Sequence, residues 1–248
     1  MTLTGRRVLV TGGGTGLGAS MARGFHAAGA EVVVCGRRRE PLKAVVAALP
    51  GTRAVVADVT DESQVAELYR EAGPIDIVVA NAGAARSAPL HRTDLDLWNE
   101  MIGANLTGTF LTLRAGYAQM RGKGWGRLIT IASTAGLRGY AYVAAYTAAK
   151  HGAVGLTRSI AAEVGGTGIT ANALCPGYLD TEMTDRTIDN IVATTGRPRE
   201  EAVAMLAADN PQGRLIHPDE VTALALHLCL PAQDGVNGAA IEVDGSVP

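Results

Sequence analysis

The 248-residue chain is poor in the features that announce many protein classes. It has three cysteines, Cys35, Cys175 and Cys229, far apart and without ligand spacing. They read as buried thiols of a reducing compartment. The five histidines, His26, His91, His151, His217 and His227, show no pairing at metal spacing. Basic residues are scattered, and the net charge is −2, so the clustered basic face of a nucleic-acid binder is missing. No apolar run reaches the roughly 20 residues of a membrane span. The chain enters a strand-like RRVLVT directly, without a secretory pattern. There is no internal repeat, low-complexity tract or interdomain linker. The expectation is a single cytoplasmic domain with no metal, nucleic-acid or membrane partner.

What is present is rhythm. Apolar, β-branched runs at 6–11, 30–36, 53–58, 75–80, 127–133, 169–175 and 239–245 read as strands. Several are almost continuously apolar, as in a sheet covered on both faces. Helical patterns lie between them at 16–29, 40–48, 61–72, 94–120, 143–164 and 218–230. The alternation predicts an α/β fold: a doubly wound parallel sheet of about seven strands with right-handed crossovers. Between Pro176 and Pro218 the rhythm stops, leaving turn residues and two short amphipathic patterns. A long late insertion of this kind often covers a site, so 178–215 reads as a substrate lid.

VTGGGTGLG follows the first strand and opens the first helix. Gly12 suits a tight turn, Gly16 a close approach of backbone to pyrophosphate, and Gly18 close helix–sheet packing. The helix N-terminus then offers unpaired N–H groups to phosphate. After the second strand come Arg37, Arg38 and Arg39, with no acid before Glu40. An acid there would take ribose hydroxyls; arginine forks suit a 2′-phosphate. This favours NADP(H), with NAD(H) and a merely solvated basic turn as the alternative.

Tyr146 and Lys150 stand four apart in a predicted helix, one turn apart on one face. A neighbouring ammonium favours phenolate, which would bring Tyr146 toward acid–base work near neutral pH. Ser133 ends the fifth strand, where parallel sheets bind ligands, and can hold a carbonyl or alcohol oxygen beside Tyr146.

These residues, with TGGGTGLG (11–18), Asp58, NAG (81–83), Asn105 in GANLTG, YTAAK (146–150) and PG (176–177), resemble the short-chain dehydrogenase/reductase family over essentially the whole chain. The resemblance is strongest to 3-oxoacyl reductases and 3-hydroxybutyrate dehydrogenases. It implies a Rossmann-type fold and a catalytic set of Asn105, Ser133, Tyr146 and Lys150. Thr11, Gly12, Gly14, Thr15, Gly16, Leu17 and Gly18 would form the cofactor turn, joined by Arg37 and Arg38. Asp58 and Val59 would lie at the adenine, and Asn81, Ala82 and Gly83 along the cofactor. Lys150 would hold the nicotinamide ribose, and Asn105 a water of the proton relay. Pro176, Gly177, Leu179 and Thr181 would place the carboxamide. Ala80 departs from the usual NNAG pattern, and Gly14 replaces a common hydroxyl. A homotetramer or homodimer is implied, with helices 94–120 and 143–164 pairing across subunits and the C-terminal strand and tail forming a second contact.

The resemblance implies an NAD(P)-dependent oxidoreductase acting between ketones and secondary alcohols. The hydroxybutyrate enzymes clamp a carboxylate with Gln, His, Lys and Gln; the corresponding positions here are Ala85, Ala135, Val143 and Thr187. A roomier, less charged substrate is therefore expected, a 3-oxoacyl thioester or an aromatic or alicyclic ketone, for a carbonyl or 3-oxoacyl-type reductase; the pocket would be bounded by Tyr140, Val143, Tyr178, Met183 and the 184–208 helices. A catabolic NAD-dependent alcohol or 3-hydroxyacyl dehydrogenase is the alternative, and a non-catalytic dinucleotide sensor a remote one. Arg86 and Arg138 read as solvated or paired, with a substrate anion the other option. His151 is expected off the active face. Trp98 and Trp125 read as packing residues.

Overall fold

The computed structural model describes residues 2–245. Seven strands, β1 (Arg7–Thr11), β2 (Glu31–Gly36), β3 (Arg53–Val56), β4 (Ile77–Ala80), β5 (Gly126–Ile131), β6 (Ile169–Pro176) and β7 (Ala240–Val243), form one sheet in the order 3-2-1-4-5-6-7. Every pairing is parallel. The order reverses between β1 and β4, so a crevice opens at their carboxyl ends.

The strand sequences explain the layering. In β1, Val8 and Val10 enter one core and Leu9 the other; in β2, Val32 and Val34 oppose Val33 and Cys35; in β4, Ile77 and Val79 oppose Val78 and Ala80. The two-residue period thus feeds apolar side chains to both faces. One face is covered by α1 (Gly16–Ala27), α2 (Arg39–Ala48) and α9 (Pro218–Leu228), whose Met21, Phe25, Leu42 and Val221 join the first core. The other is covered by α3 (Glu62–Ala72), α5 (Gly108–Met120) and α6 (Ala144–Val164), through Leu68, Leu113 and Val164. All three cysteines are buried and free.

The helix expected over 94–120 is one continuous run interrupted in its winding. Helix α4 (Leu95–Ile102) passes into a π-helical turn at Gly103–Thr107 and then into α5. Such turns widen the helix locally and recur at functional sites; this one carries Asn105. The strand expected to reach Ser133 stops at Ile131, and that expected to reach Asp58 stops at Val56, so both residues stand in the turns beyond. The insertion folds as α7 (Glu182–Thr195) and α8 (Arg199–Ala208) around Ile188, Ala202 and Leu206, with Tyr178, Val203 and Leu215 packed against them. Its two stems meet in a single parallel bridge, Leu179 to Ile216. No helix among the described residues is long and apolar enough to cross a membrane, and no group of three potential metal ligands occurs among them.

Candidate active site

The turn after β1 is built so tightly that only glycine fits at two places. Gly12 has φ +64°, and a Cβ on Gly18 would lie 2.1 Å from the Gly12 carbonyl oxygen. The Asn81 side chain locks this turn to the one after β4: Nδ2 donates to the Thr11 carbonyl at 2.9 Å and the Gly12 carbonyl at 3.3 Å. In return, Thr11 Oγ1 accepts from the backbone N–H groups of Asn81 and Ala82, at 3.0 and 3.1 Å. Thr15 stands at the N-cap of α1 without a side-chain capping bond, and no acidic residue lies in the first turn. The helix therefore presents its N–H groups and positive dipole end uncapped, in a cradle that a dinucleotide's pyrophosphate fits. Gly14 lies beside Pro41, and Leu17 is buried against the sheet. The cradle's other wall is Thr181, whose Cβ would be 3.4 Å from a Cβ on Gly16.

Arg37 and Asp58 meet beyond the ends of β2 and β3. Asp58 accepts from the Thr60 backbone and hydroxyl through Oδ1, while its Oδ2 stands 3.8 Å from Arg37 Nη1. Arg37 is 75% exposed at its side chain, and Arg38 is exposed. Val59 is buried beneath this turn, against the helix position of Gly108.

The four residues expected to do chemistry converge beyond β4, β5 and the π turn. Asn105 is 1% exposed; its Nδ2 donates to the carbonyls of Ala84 and Met101, at 2.9 and 3.0 Å, and its Oδ1 accepts from the Ala84 N–H. A Cβ on Gly83 would meet Asn105 Oδ1 at 2.6 Å and Lys150 Nζ at 3.8 Å, which places the NAG turn, Asn105 and Lys150 in one cluster. Lys150, 5% exposed, donates to the Ile131 carbonyl at 2.8 Å. Ser133 caps the short turn Thr134–Gly136 through the Ala135 N–H. Tyr146 lies alongside.

One electrostatic expectation is corrected. Burial is the largest influence on Tyr146 and pushes its phenol up, with Ser133 pulling it partly back; Lys150 is not among the causes. The ammonium sits 5.6 Å from the ring centroid and donates to the Ile131 carbonyl. Burial also pushes Lys150 down to about 8, opposed by Cys175. Burial thus favours the protonated phenol of Tyr146, beside a lysine that burial brings down to about 8.

Beyond β6, the Pro176–Thr181 turn is held by a residue that the sequence did not flag. Asn210 is 1% exposed, accepts from the Tyr178 N–H at 3.0 Å and donates to the carbonyls of Tyr178 and Arg214 at 3.0 and 2.7 Å. A Cβ on Gly177 would fall 2.1 Å from its Oδ1. Other expectations sort as follows. Arg86 pairs with Glu100 at 2.6 Å, and Arg138 with Asp244 at 2.8 Å. His151 is exposed and bonds to the Thr147 carbonyl. Trp125 is sandwiched between Arg6 and Arg127, at 3.7 and 4.4 Å, but Trp98 is 39% exposed on α4, so it does not pack as expected. Tyr140 bonds to Thr134 and Arg138, while Tyr142 is 66% exposed with φ +68°.

The family model for the short chain dehydrogenases matches residues 6–191. The chain belongs to the short-chain dehydrogenase family. It is therefore a nicotinamide-dependent oxidoreductase of CH–OH groups and carbonyls. It is 37% identical to a D-beta-hydroxybutyrate dehydrogenase of Cupriavidus necator, over 98% of each chain. It is 32% identical to an acetoacetyl-CoA reductase of Shinella zoogloeoides, over 97% of each. Among solved structures, an actinorhodin polyketide ketoreductase variant with NADPH superposes with a TM-score of 0.89, at 34% identity, over 97% of this chain and 96% of that one.

Proposed function

We propose that this short-chain dehydrogenase is a ketone reductase with a largely uncharged substrate and NADP(H) as its favoured cofactor. The observation that carries the reading is the convergence of a half-buried Tyr146, whose phenol is pushed up, the Ser133 hydroxyl and a buried Lys150 at the carboxyl ends of β4 and β5. Gly12 to Gly18 and Asn81 to Gly83 would hold the dinucleotide, with Lys150 at its ribose and the Pro176–Thr181 turn at its carboxamide. When bound, the nicotinamide supplies or accepts the hydride. Ser133 donates a hydrogen bond to the substrate oxygen and polarises it. Tyr146 gives that oxygen its proton in reduction and takes it back in oxidation. Lys150 would resupply the proton to Tyr146 from solvent through a water held by Asn105.

The lid supports an uncharged substrate. Residues 178–215 hold seven acids (Asp180, Glu182, Asp185, Asp189, Glu200, Glu201, Asp209) against four arginines. Each arginine has an acid beside it: Arg186 with Glu182, Arg197 with Glu201, Arg199 with Asp185 and Asp189, and Arg214 with Glu220. With Arg86 and Arg138 also paired, and apolar or hydroxyl side chains at Ala85, Ala135, Val143 and Thr187, a substrate anion would meet net repulsion. Oxidation of a secondary alcohol with NAD(H) is the second reading, favoured by the engagement of Arg37 with Asp58.

We also infer a homotetramer or homodimer in a reducing, cytoplasmic setting. Leu95 and Trp98 on α4 and Phe110 on α5 present apolar surface outward, and the cysteines are unpaired. A tail contact would involve residues 246–248, which lie outside the described residues. The reading is tested by following loss of reduced-nicotinamide absorbance with ketones, their 3-oxo acids and their esters. Turnover of neutral ketones and esters with NADPH, and poor turnover of the acids, supports it; no turnover of any carbonyl refutes it.

A further inference from the structure

Ser133 is held on a short loop, and one buried carboxylate distant in sequence reaches that loop. We propose that Asp244, Arg138 and Tyr140 form a positioning relay that sets the orientation of Ser133 and couples it to the turn after β6. The proposal rests on the reading of Ser133 as the group that holds the substrate oxygen.

Asp244 follows β7 and is 1% exposed. A carboxylate so buried persists as an anion only when it is paired and hydrogen-bonded. Arg138 Nη2 donates to its Oδ2 at 2.8 Å, and Arg138 Nη1 reaches Glu242 at 3.7 Å. The same guanidinium turns its Nε to the Tyr140 hydroxyl at 2.9 Å. Tyr140 in turn donates to Thr134 Oγ1 at 2.9 Å. Thr134 is 3% exposed and directly follows Ser133 in the turn that Ser133 caps. The Arg138 N–H closes the loop on the Thr134 carbonyl at 3.0 Å. Two donors of one rigid, planar cation thus fix the Tyr140 hydroxyl and the Asp244 carboxylate at once, a fork that a lysine could not reproduce.

The other end of the relay faces the nicotinamide turn. The Gly177 N–H donates to the Val243 carbonyl at 3.2 Å, and a Cβ on Gly177 would lie 3.0 Å from Asp244 Cβ. One carboxylate therefore registers the loop of Ser133 against the turn of Pro176 and Gly177. A displacement of the serine hydroxyl by a fraction of an ångström weakens polarisation of the substrate oxygen without disturbing the cofactor cradle. Arg138, Tyr140 and Asp244 act through Ser133 and are positioning residues.

The test uses the full chain and five variants: Tyr140→Phe, Arg138→Gln, Arg138→Lys, Tyr140→Phe combined with Arg138→Gln, and Ser133→Ala. Tyr140→Phe keeps the ring that Arg138 flanks at 5.7 Å and removes only the hydroxyl link. The expected result is a kcat about fivefold to tenfold lower, the net effect of one hydrogen bond expressed as a rate. The NADPH Kd and melting midpoint of Tyr140→Phe stay near wild type, and the double variant is no slower than Arg138→Gln alone. Arg138→Lys recovers only part of the loss. An unchanged kcat in Tyr140→Phe, with Ser133→Ala impaired, overturns the relay and leaves the serine assignment standing. Losses that multiply in the double variant, or a Tyr140→Phe loss that tracks its melting midpoint, also overturn it. Full activity in Ser133→Ala overturns the serine assignment and the relay with it.

Discussion

Replacing Gly18 by alanine is a severe local perturbation whose consequence can be worked from the structure. The new methyl would lie 2.1 Å from the Gly12 carbonyl oxygen and 2.7 Å from both Gly12 C and Asn81 Nδ2. None of these is the free end of a flexible chain. Two are turn backbone, and Asn81 is itself bonded to the Thr11 and Gly12 carbonyls. Relief requires either the turn or the start of α1 to move, and both carry the N–H groups offered to pyrophosphate. Overpacking of this kind costs about 1–3 kcal/mol. If the displacement falls on the bound geometry, the NADPH Kd rises by roughly 5- to 150-fold at about 1.4 kcal/mol per decade. Gly166→Ala is the control. Gly166 has φ +78° and nothing within 4 Å of an added Cβ, and it lies beyond α6 at the other end of the sheet. It should lose about 1–2 kcal/mol of stability through backbone strain and bind NADPH as wild type does. The assay is enhancement of nicotinamide fluorescence on titration, with a thermal melt of each variant. Gly18→Ala binding NADPH within about twofold of wild type would refute the cradle.

Three further outcomes are expected. Arg37→Ala with Arg38→Ala raises the NADPH Kd about tenfold or more, as loss of charged hydrogen bonds does, and leaves the NADH Kd unchanged; equal effects on both cofactors in the same titration would count against a 2′-phosphate role. Lys150 has its proton affinity lowered to about 8 by burial, so it is charged below that pH and neutral above it. Reduction, which consumes a proton, should be fastest below about 8 and decline above it, and Lys150→Arg should move that decline upward in the pH–rate profile. Asn210→Leu removes three bonds to the backbone of Tyr178 and Arg214 and leaves those groups buried; the melting midpoint falls and KM for the ketone rises more than the NADPH Kd, read from steady-state kinetics and titration.

What the sequence disclosed and what it withheld divide along the range of the interactions concerned. The strands were legible because each is a short apolar run between polar helices, and a sheet covered on both faces leaves that mark. Tyr146 and Lys150 were legible because helical spacing is local. The π turn around Asn105 was not, since GANLTG differs little from any helical segment and the extra residue is set by the Asn105 bonds to Ala84 and Met101. Asn210 and Asp244 were missed for a related reason. Tyr178 and Arg138, which they bind, lie 32 and 106 positions away, and DNPQG reads only as a turn and VDG as the end of a strand. The effect of Lys150 on Tyr146 was misjudged because spacing carries no information about burial, and burial is the larger influence on both groups.

The central claim is that Tyr146 is the proton donor of a ketone reductase. It is tested most directly by single-turnover reduction of a neutral ketone with saturating NADPH in wild type and Tyr146→Phe. The account predicts a rate about 10²- to 10⁴-fold lower in the variant, the usual contribution of a positioned acid, with the NADPH Kd unchanged. A variant that reduces the ketone at the wild-type rate would contradict it.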